Sequence, residues 1–385
     1  MLALTARSLY TPLEQIDRPL VVIEDGAVVT VGCRSDHEIP SKAKLLDFHD
    51  GILTPGLVDI HIHGAAGFDV MQADAEGRSR IEKFLATRGV TSYFPTTVTA
   101  PIDIILRALE QLADGIECAT MDSPRAQPLG IHLEGPFLSH ARRGVHPPEN
   151  LLAPTLASFD RFWQAARGRI RVMTIAPELD GATELIAEAT KRGVSISIGH
   201  SDADLNAARA GVAAGAHHAT HTFNAMRPLD HREPGIIGEV LSNPALTADI
   251  IADGIHVHPE VVRLFLQAKG PERAVLITDA TAAAGMPDGK YWLGSLEVDV
   301  KDGKCLHEGT LAGSVLTLDR ALRNAMKFAA WDLPQVLPAA TLNPATVTNA
   351  AKKGRIEPGA DADLVVLTSE GQVRATITKG VQVDS

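Results

Sequence analysis

The chain has 385 residues, 45% of them hydrophobic and 22% charged, and a net charge of −11. This composition excludes a disordered, collagen-like or coiled-coil chain, and the length admits a barrel of roughly 250 residues beside a smaller unit. The acidic surplus without a long basic run argues against a nucleic-acid partner, and three widely spaced cysteines (Cys33, Cys118, Cys305) argue against a disulfide framework and for a reducing, cytoplasmic setting.

In chain order, residues 1–54 read as short strands and turns. Residues 19–30 (PLVVIEDGAVVT) place two β-forming runs about Asp25-Gly26, a hairpin pattern. The opening residues lack the basic flank and apolar core of a signal peptide, and no run of about 18 apolar residues suggests a membrane span. The far end resembles the beginning, with an apolar strand at 362–368 and an alternating one at 373–377. The expectation is a small β-sandwich domain built from residues 1–54 and 351–385, with surface hairpins on the central domain as the alternative.

Between these ends, apolar β-rich runs fall at 57–62, 91–97, 129–133, 170–175, 195–198, 218–223, 247–252 and 274–278. Helical patterns separate most of them, at 75–88, 102–115, 157–166, 182–192, 203–214 and 259–268, and a last one lies near 316–329. Residues 224–238, between the sixth and seventh runs, read as loop. Eight strands alternating with helices predict an α/β fold, a (β/α)8 TIM-type barrel over residues 55–350. A doubly wound open sheet competes, but no Gly-rich phosphate fingerprint follows the first strand.

Reactive groups of such a barrel sit at the C-terminal strand ends. Here six of the eight ends carry metal-competent residues: His61 and His63, Glu134, His200, His221, Asp253 with His256, and Asp279. A His-x-His pair on a strand points both imidazoles to one face. Glu134 could bridge two ions or bind one, and His200 and His221 complete a nitrogen-and-oxygen donor set suited to Zn²⁺ or another divalent transition metal. Asp279 either caps the turn that follows it or serves as a carboxylate beside metal-activated water. The chemistry this constellation predicts is hydrolysis of an amide or related C–N bond.

These residues resemble the amidohydrolase superfamily, and more closely its N-acetylglucosamine-6-phosphate deacetylase family, from end to end. The resemblance is carried by PGLVDIHIHG (55–64), HLEGP (132–136), GHS (199–201), THTFNAM (220–226), DGIH (253–256), TDA (278–280), LAGS (311–314) and NPA (343–345). The tail GRIEPGADADLV (354–365) is common to many amidohydrolases and says little about substrate. The resemblance implies removal of acetate from N-acetylglucosamine 6-phosphate, in amino-sugar catabolism or cell-wall recycling. It implies Glu134, His200 and His221 as ligands of the principal metal, Asp279 as the acid/base, and His61 and His63 as holders of a second ion beside the first. It further implies substrate contacts from Val145, His146, Asn224, Ala225, Arg232, Asp253, His256, Leu311, Ala312 and Gly313. Arg232 and His256 would meet the phosphate, with Arg232 reaching across the interface of a homodimer. The low aromatic content, 4%, suits a substrate held by polar contacts rather than by ring stacking.

Rival readings are a cyclic amidase, an adenine deaminase-like enzyme, a deacetylase of a related N-acetylhexosamine phosphate, and a non-catalytic assembly protein. Many cyclic amidases bridge their metals with a carboxylated lysine, and no lysine lies at the third to sixth strand ends. His217 and His218 are expected in the barrel wall and His258 at a helix cap or in solvent. His37, His49, His140, His231 and His307 are assigned to loops without a role.

Overall fold

The computed structural model describes residues 1–118 and 124–384. Eight parallel strands form its centre: β1 (Leu57–Ile62), β2 (Val90–Pro95), β3 (Ile131–Glu134), β4 (Ile170–Ile175), β5 (Ser195–Ile198), β6 (His218–Ala219), β7 (Ala248–Ile251) and β8 (Ala274–Ile277). Adjacent strands are joined in order around a ring. Ladders link β1 to β2, β3 through β6, and β7 to β8. The remaining seams are the Thr96–His132 bridge between β2 and β3, Ala219 N–H to Thr247 O (3.1 Å) between β6 and β7, and Asp279 N–H to His61 O (2.9 Å) between β8 and β1. The sheet therefore closes as a TIM-type barrel. Its strands are buried along nearly their whole length, which is why they read as continuous apolar runs rather than as alternating ones.

The helices lie outside. Ile102–Glu117 buries Ile105, Ala108, Leu109, Leu112 and Ala113, a stripe at helical spacing. Ala75–Thr87 starts at Asp74, whose side chain accepts from Gly77 N, and Leu205–Ala214 starts likewise at Asp204.

Three features differ from the sequence reading. Residues 224–238 are not all loop, since a helix, Gly235–Ser242, starts within them. Its sequence, GIIGEVLS, carries two glycines and follows Pro234, so intrinsic propensity hides it; burial of Ile236, Ile237 and Val240 stabilises it instead. Two further helices, Leu333–Ala340 and Leu342–Val347, follow the last expected one. Proline disfavours helix interiors, but Pro334 occupies the first turn, where no intrahelical donor is lost, and Asp332 and Gln335 form a capping box. Finally, a four-stranded antiparallel sheet (Gly289–Leu293, Leu296–Lys301, Lys304–His307, Thr310–Leu311) leaves the barrel after β8.

Both chain ends pair with each other. Ile52–Pro55 lies antiparallel to Leu364–Leu367 in a six-stranded sheet, and Leu2–Thr5 lies between Pro19–Glu24 and Lys44–Asp47 in a four-stranded one. Their shared apolar cluster includes Leu4, Leu9, Val21, Leu53, Leu364 and Val366. Beside it, buried Lys353 contacts Asp361 at 2.8 Å and Asp363 at 2.5 Å. Burial pulls the Lys353 pKa down, but the two aspartates outweigh it and raise it above the usual value. Removing one partner of a buried pair leaves uncompensated charge. Lys353→Met should therefore cost about 3 kcal/mol of unfolding free energy in a urea titration, and a loss under about 0.5 kcal/mol would assign the cluster to solvent-exposed behaviour.

Candidate metal centre

Glu134, at the end of β3, is buried, and its two carboxylate oxygens face different histidine pairs. Oε1 lies 3.1 Å from His221 Nε2 and 3.2 Å from His200 Nε2; Oε2 lies 3.4 Å from Nε2 of both His61 and His63. The His200 and His221 Nε2 atoms are 3.0 Å apart, and those of His61 and His63 are 3.2 Å apart. Asp279 Oδ1 lies 3.0 Å from His63 Nε2 and 3.5 Å from His61 Nε2. Two adjoining donor groups result, Glu134–His200–His221 and His61–His63–Asp279. Period-two alternation along β1 aims residues 59, 61 and 63 the same way, as the His-x-His reading requires.

The outer nitrogens fix which ring atoms are free to bind a cation. His63 Nδ1 lies 3.1 Å from Thr96 O and His200 Nδ1 lies 3.0 Å from Arg142 O. A carbonyl only accepts, so each Nδ1 carries the hydrogen and each Nε2 presents a lone pair to the centre. Bare nitrogens and two carboxylates thus converge within a buried space, a donor set that fits a divalent cation on each side of Glu134. The electrostatics agree. Burial would raise Asp279, but the hydrogen bond from His63 and the charges of His61 and His63 hold it at about 2. Burial would also raise Glu134, yet the His61 charge and the hydrogen bonds from His200 and His221 hold it well below the carboxylate range. Burial works against a charged His63, but contacts with Asp279 and Glu134 lift it to about 10; Glu134 lifts His221 to about 9 in the same way. The imidazoles and carboxylates thus stabilise one another's charge, and a cation held between them would take the place of the protons they share.

The ligands sit where the strands end and the chain turns sharply. His200, His221 and Asp279 adopt left-handed φ values of 46°, 30° and 50°. Such backbone costs on the order of 1–3 kcal/mol per residue and clusters at functional sites. It also corrects the sixth run: β6 ends at Ala219, and residues 220–223 turn out of the sheet to present His221.

A cavity of about 240 Å³ opens above the centre. Val145, His146, Asn224, Ala225, His256, Leu311, Ala312 and Gly313 line it, joined by Leu293 and Thr310 from the added sheet. Gly313 has φ +62°, and a Cβ there would stand 2.9 Å from Asp279 O, so no larger residue fits. Two expected contacts are not in the wall. Asp253 lies behind it, with its carboxylate on His256 Nδ1 at 2.7 Å. Arg232 is exposed on the 224–234 loop, and among the described residues no lysine or arginine lines the cavity.

His146 is buried, and the Thr99 backbone N–H donates to its Nδ1 (3.3 Å). Nε2 therefore bears the hydrogen and points toward Glu134 Oε2, 3.8 Å away. Burial, then the His200 charge, push its pKa down to about 3, so it is a neutral donor. His218 stands in the barrel wall, bonded to Thr247 and Asp249, and His258 caps the helix Pro259–Lys269, as expected.

Supporting residues escape the sequence reading. Asp59 accepts from Thr278 Oγ1 (2.6 Å) and from His61 N–H (3.3 Å), tying β1 to β8 below the centre. Asp249 holds both His218 and the His221 backbone N–H. Asp59 alone left a signal, two residues before the His-x-His pair on the same strand face; Thr99 and Asp249 act across the barrel and leave none in the chain.

Comparison with known proteins agrees with this geometry. The amidohydrolase family model matches residues 52–383. An N-acetylglucosamine-6-phosphate deacetylase of Bacillus subtilis is 37% identical, over 97% of this chain and 94% of its own. An N-acetylgalactosamine-6-phosphate deacetylase of Escherichia coli O157:H7 is 36% identical, over 95% of each. Among solved structures, an N-acetyl-D-glucosamine-6-phosphate deacetylase mutant of Mycobacterium smegmatis in complex with N-acetyl-D-glucosamine-6-phosphate superposes with TM-score 0.92 at 35% identity, covering 100% of this chain and 99% of that one. The Thermotoga maritima N-acetylglucosamine-6-phosphate deacetylase gives 0.87 at 33% identity, covering 98% of each. A barrel mouth built around a shared carboxylate and four histidines, matched along nearly the whole chain, places this protein in the amidohydrolase family.

Proposed function

We propose that the protein hydrolyses the acetamide of N-acetyl-D-glucosamine 6-phosphate to D-glucosamine 6-phosphate and acetate. The observation that carries the proposal is the Glu134 carboxylate shared between two histidine pairs, with ionised Asp279 beside one pair. Glu134, His200 and His221 would hold a principal ion and His61 and His63 a second, with Zn²⁺ the best match to these nitrogen and oxygen donors. When bound, a divalent ion supplies Lewis-acid polarisation of the carbonyl and lowers the pKa of water toward 7.

The chain's own residues do the rest. Asp279, beside the His61–His63 pair, takes a proton from the attacking water and returns it to the departing nitrogen, so that the C–N bond breaks to acetate and free amine. His146 Nε2–H donates to the acetyl oxygen as negative charge develops there. Leu311, Ala312 and Gly313 face the sugar, and Asn224 and Ala225 supply further contacts. The 6-phosphate meets His256, and the exposed Arg232 reaches this site from a second copy of the chain in a homodimer. Residues 1–54 and 351–385 act as one small β-sandwich domain beside the 55–350 catalytic barrel, and the free cysteines suit the cytoplasm. The 36% identity to a galactosamine-epimer deacetylase supports that substrate as a second reading.

Acetate release from the glucosamine, galactosamine and mannosamine epimers, all N-acetylated and 6-phosphorylated, should be fastest for the first; no release from any of them removes the proposal. Metal analysis should find up to two ions per subunit, with both reduced in Glu134→Gln, whereas full metal content in that variant would exclude the bridge. Asp279→Asn should keep the ion held by Glu134, His200 and His221 and lose roughly 10²- to 10⁴-fold in turnover; a near-normal rate would take Asp279 out of the mechanism. Arg232→Ala should raise KM for the phosphorylated sugar far more than for the unphosphorylated one, and equal losses would mean that Arg232 does not read phosphate.

A further inference from the structure

The loop after β7 contains a buried ion-pairing unit outside the metal centre. Asp253 Oδ1 accepts the backbone N–H groups of Ile255 (2.7 Å) and His256 (2.8 Å), while Oδ2 takes the His256 ring at Nδ1 (2.7 Å). The two side chains are only 5% and 6% exposed. Asn324 from the helix Leu318–Ala329 holds the loop at Ala252 O (2.8 Å), and Phe328 of that helix packs on Gly254, whose φ is +77°. The added sheet shares the cavity wall with this loop through Thr310 and Leu311. None of these neighbours is charged, and Asp253 is the one carboxylate within 4 Å of His256 among the described residues.

The hydrogen bond to Asp253 decides what His256 can offer the cavity. A carboxylate accepts, so Nδ1 carries a hydrogen, and a neutral ring would then present a bare Nε2 to an incoming phosphate oxygen. Two acceptors would face each other. Only the imidazolium, with hydrogen on both nitrogens, presents a donor, and only a nearby negative charge stabilises a buried imidazolium. Burial would raise the Asp253 carboxyl, yet the hydrogen bond and charge of His256 hold it below the usual range, as such a pair requires. No lysine or arginine lines the cavity among the described residues, so on this side of it the His256 ring is the group that can donate to a phosphate oxygen.

We infer that Asp253 is a positioning residue for the phosphate: it holds His256 as a cationic Nε2–H donor aimed into the cavity. The inference rests on the deacetylase reading above and adds a residue that touches no substrate. Asp253→Asn tests it. The asparagine oxygen still accepts both backbone N–H groups, while its amide now donates to Nδ1, leaving a neutral ring with hydrogen on Nε2. The donor survives and its charge is lost.

The metal-loaded protein and this variant are compared with N-acetylglucosamine 6-phosphate and with N-acetylglucosamine. The ratio of kcat/KM between the two substrates should fall about tenfold in the variant, with the loss in KM rather than in kcat. A ratio unchanged in the variant, or losses equal for both sugars, overturns the inference. Calorimetric binding of glucose 6-phosphate, with glucose as control, separates the two claims. Affinity about tenfold weaker in Asp253→Asn supports the pair even if the parent releases no acetate, and equal affinity overturns it even if the parent is a competent deacetylase.

Discussion

One carboxylate organises the active end of this molecule. Glu134 offers a different oxygen to each of two histidine pairs, and every other feature of the mouth follows from satisfying that arrangement. Removing it would leave four imidazoles crowded together with Asp279 as their remaining counter-charge. The barrel makes the convergence achievable. Its strands fan toward a common axis, so residues distant in sequence approach within 3.5 Å of one another without any long loop to hold them. The left-handed backbone at His200, His221 and Asp279 shows the local strain that the surrounding closed sheet sustains.

Below and around the ligands, orientation is set by groups that touch no metal. Carbonyls of Thr96 and Arg142 choose the tautomers of His63 and His200, and the Thr99 amide chooses the opposite tautomer of His146. The same histidine side chain thereby serves as lone-pair donor in two places and as hydrogen-bond donor in a third. Asp253 extends this logic to His256. In each case the outer partner, rather than the ring itself, determines the chemistry that faces the cavity.

Much of this was legible in the chain because it obeys local periodicity. The His-x-His pair on β1 and the eight apolar runs depend on alternation and strand burial, which a sequence displays directly. The short helix Gly235–Ser242 was not legible, since two glycines mask a segment stabilised by tertiary packing. The added sheet offers a readable alternation at Leu296–Lys301 and a turn at Asp302-Gly303, but nothing local says that it reaches the mouth. Its placement depends on Asp69, which accepts the Gly294 N–H, and on Gln72, which donates to Gly294 O, more than two hundred residues away. Arg232 shows the same limit from the other side: its identity is visible in the chain, yet it stands exposed on a loop outside the cavity wall.

The sheet spanning residues 289–311 has a consequence for how such a protein can change. It contributes Leu293, Thr310 and Leu311 to the cavity, yet supplies none of the groups that bear charge at the centre. Reshaping this appendage would alter the outline of the cavity while leaving the donor groups at the centre intact. Part of the cavity's shape is thus housed apart from its donor chemistry, in a segment that can vary without disturbing the buried carboxylates and imidazoles.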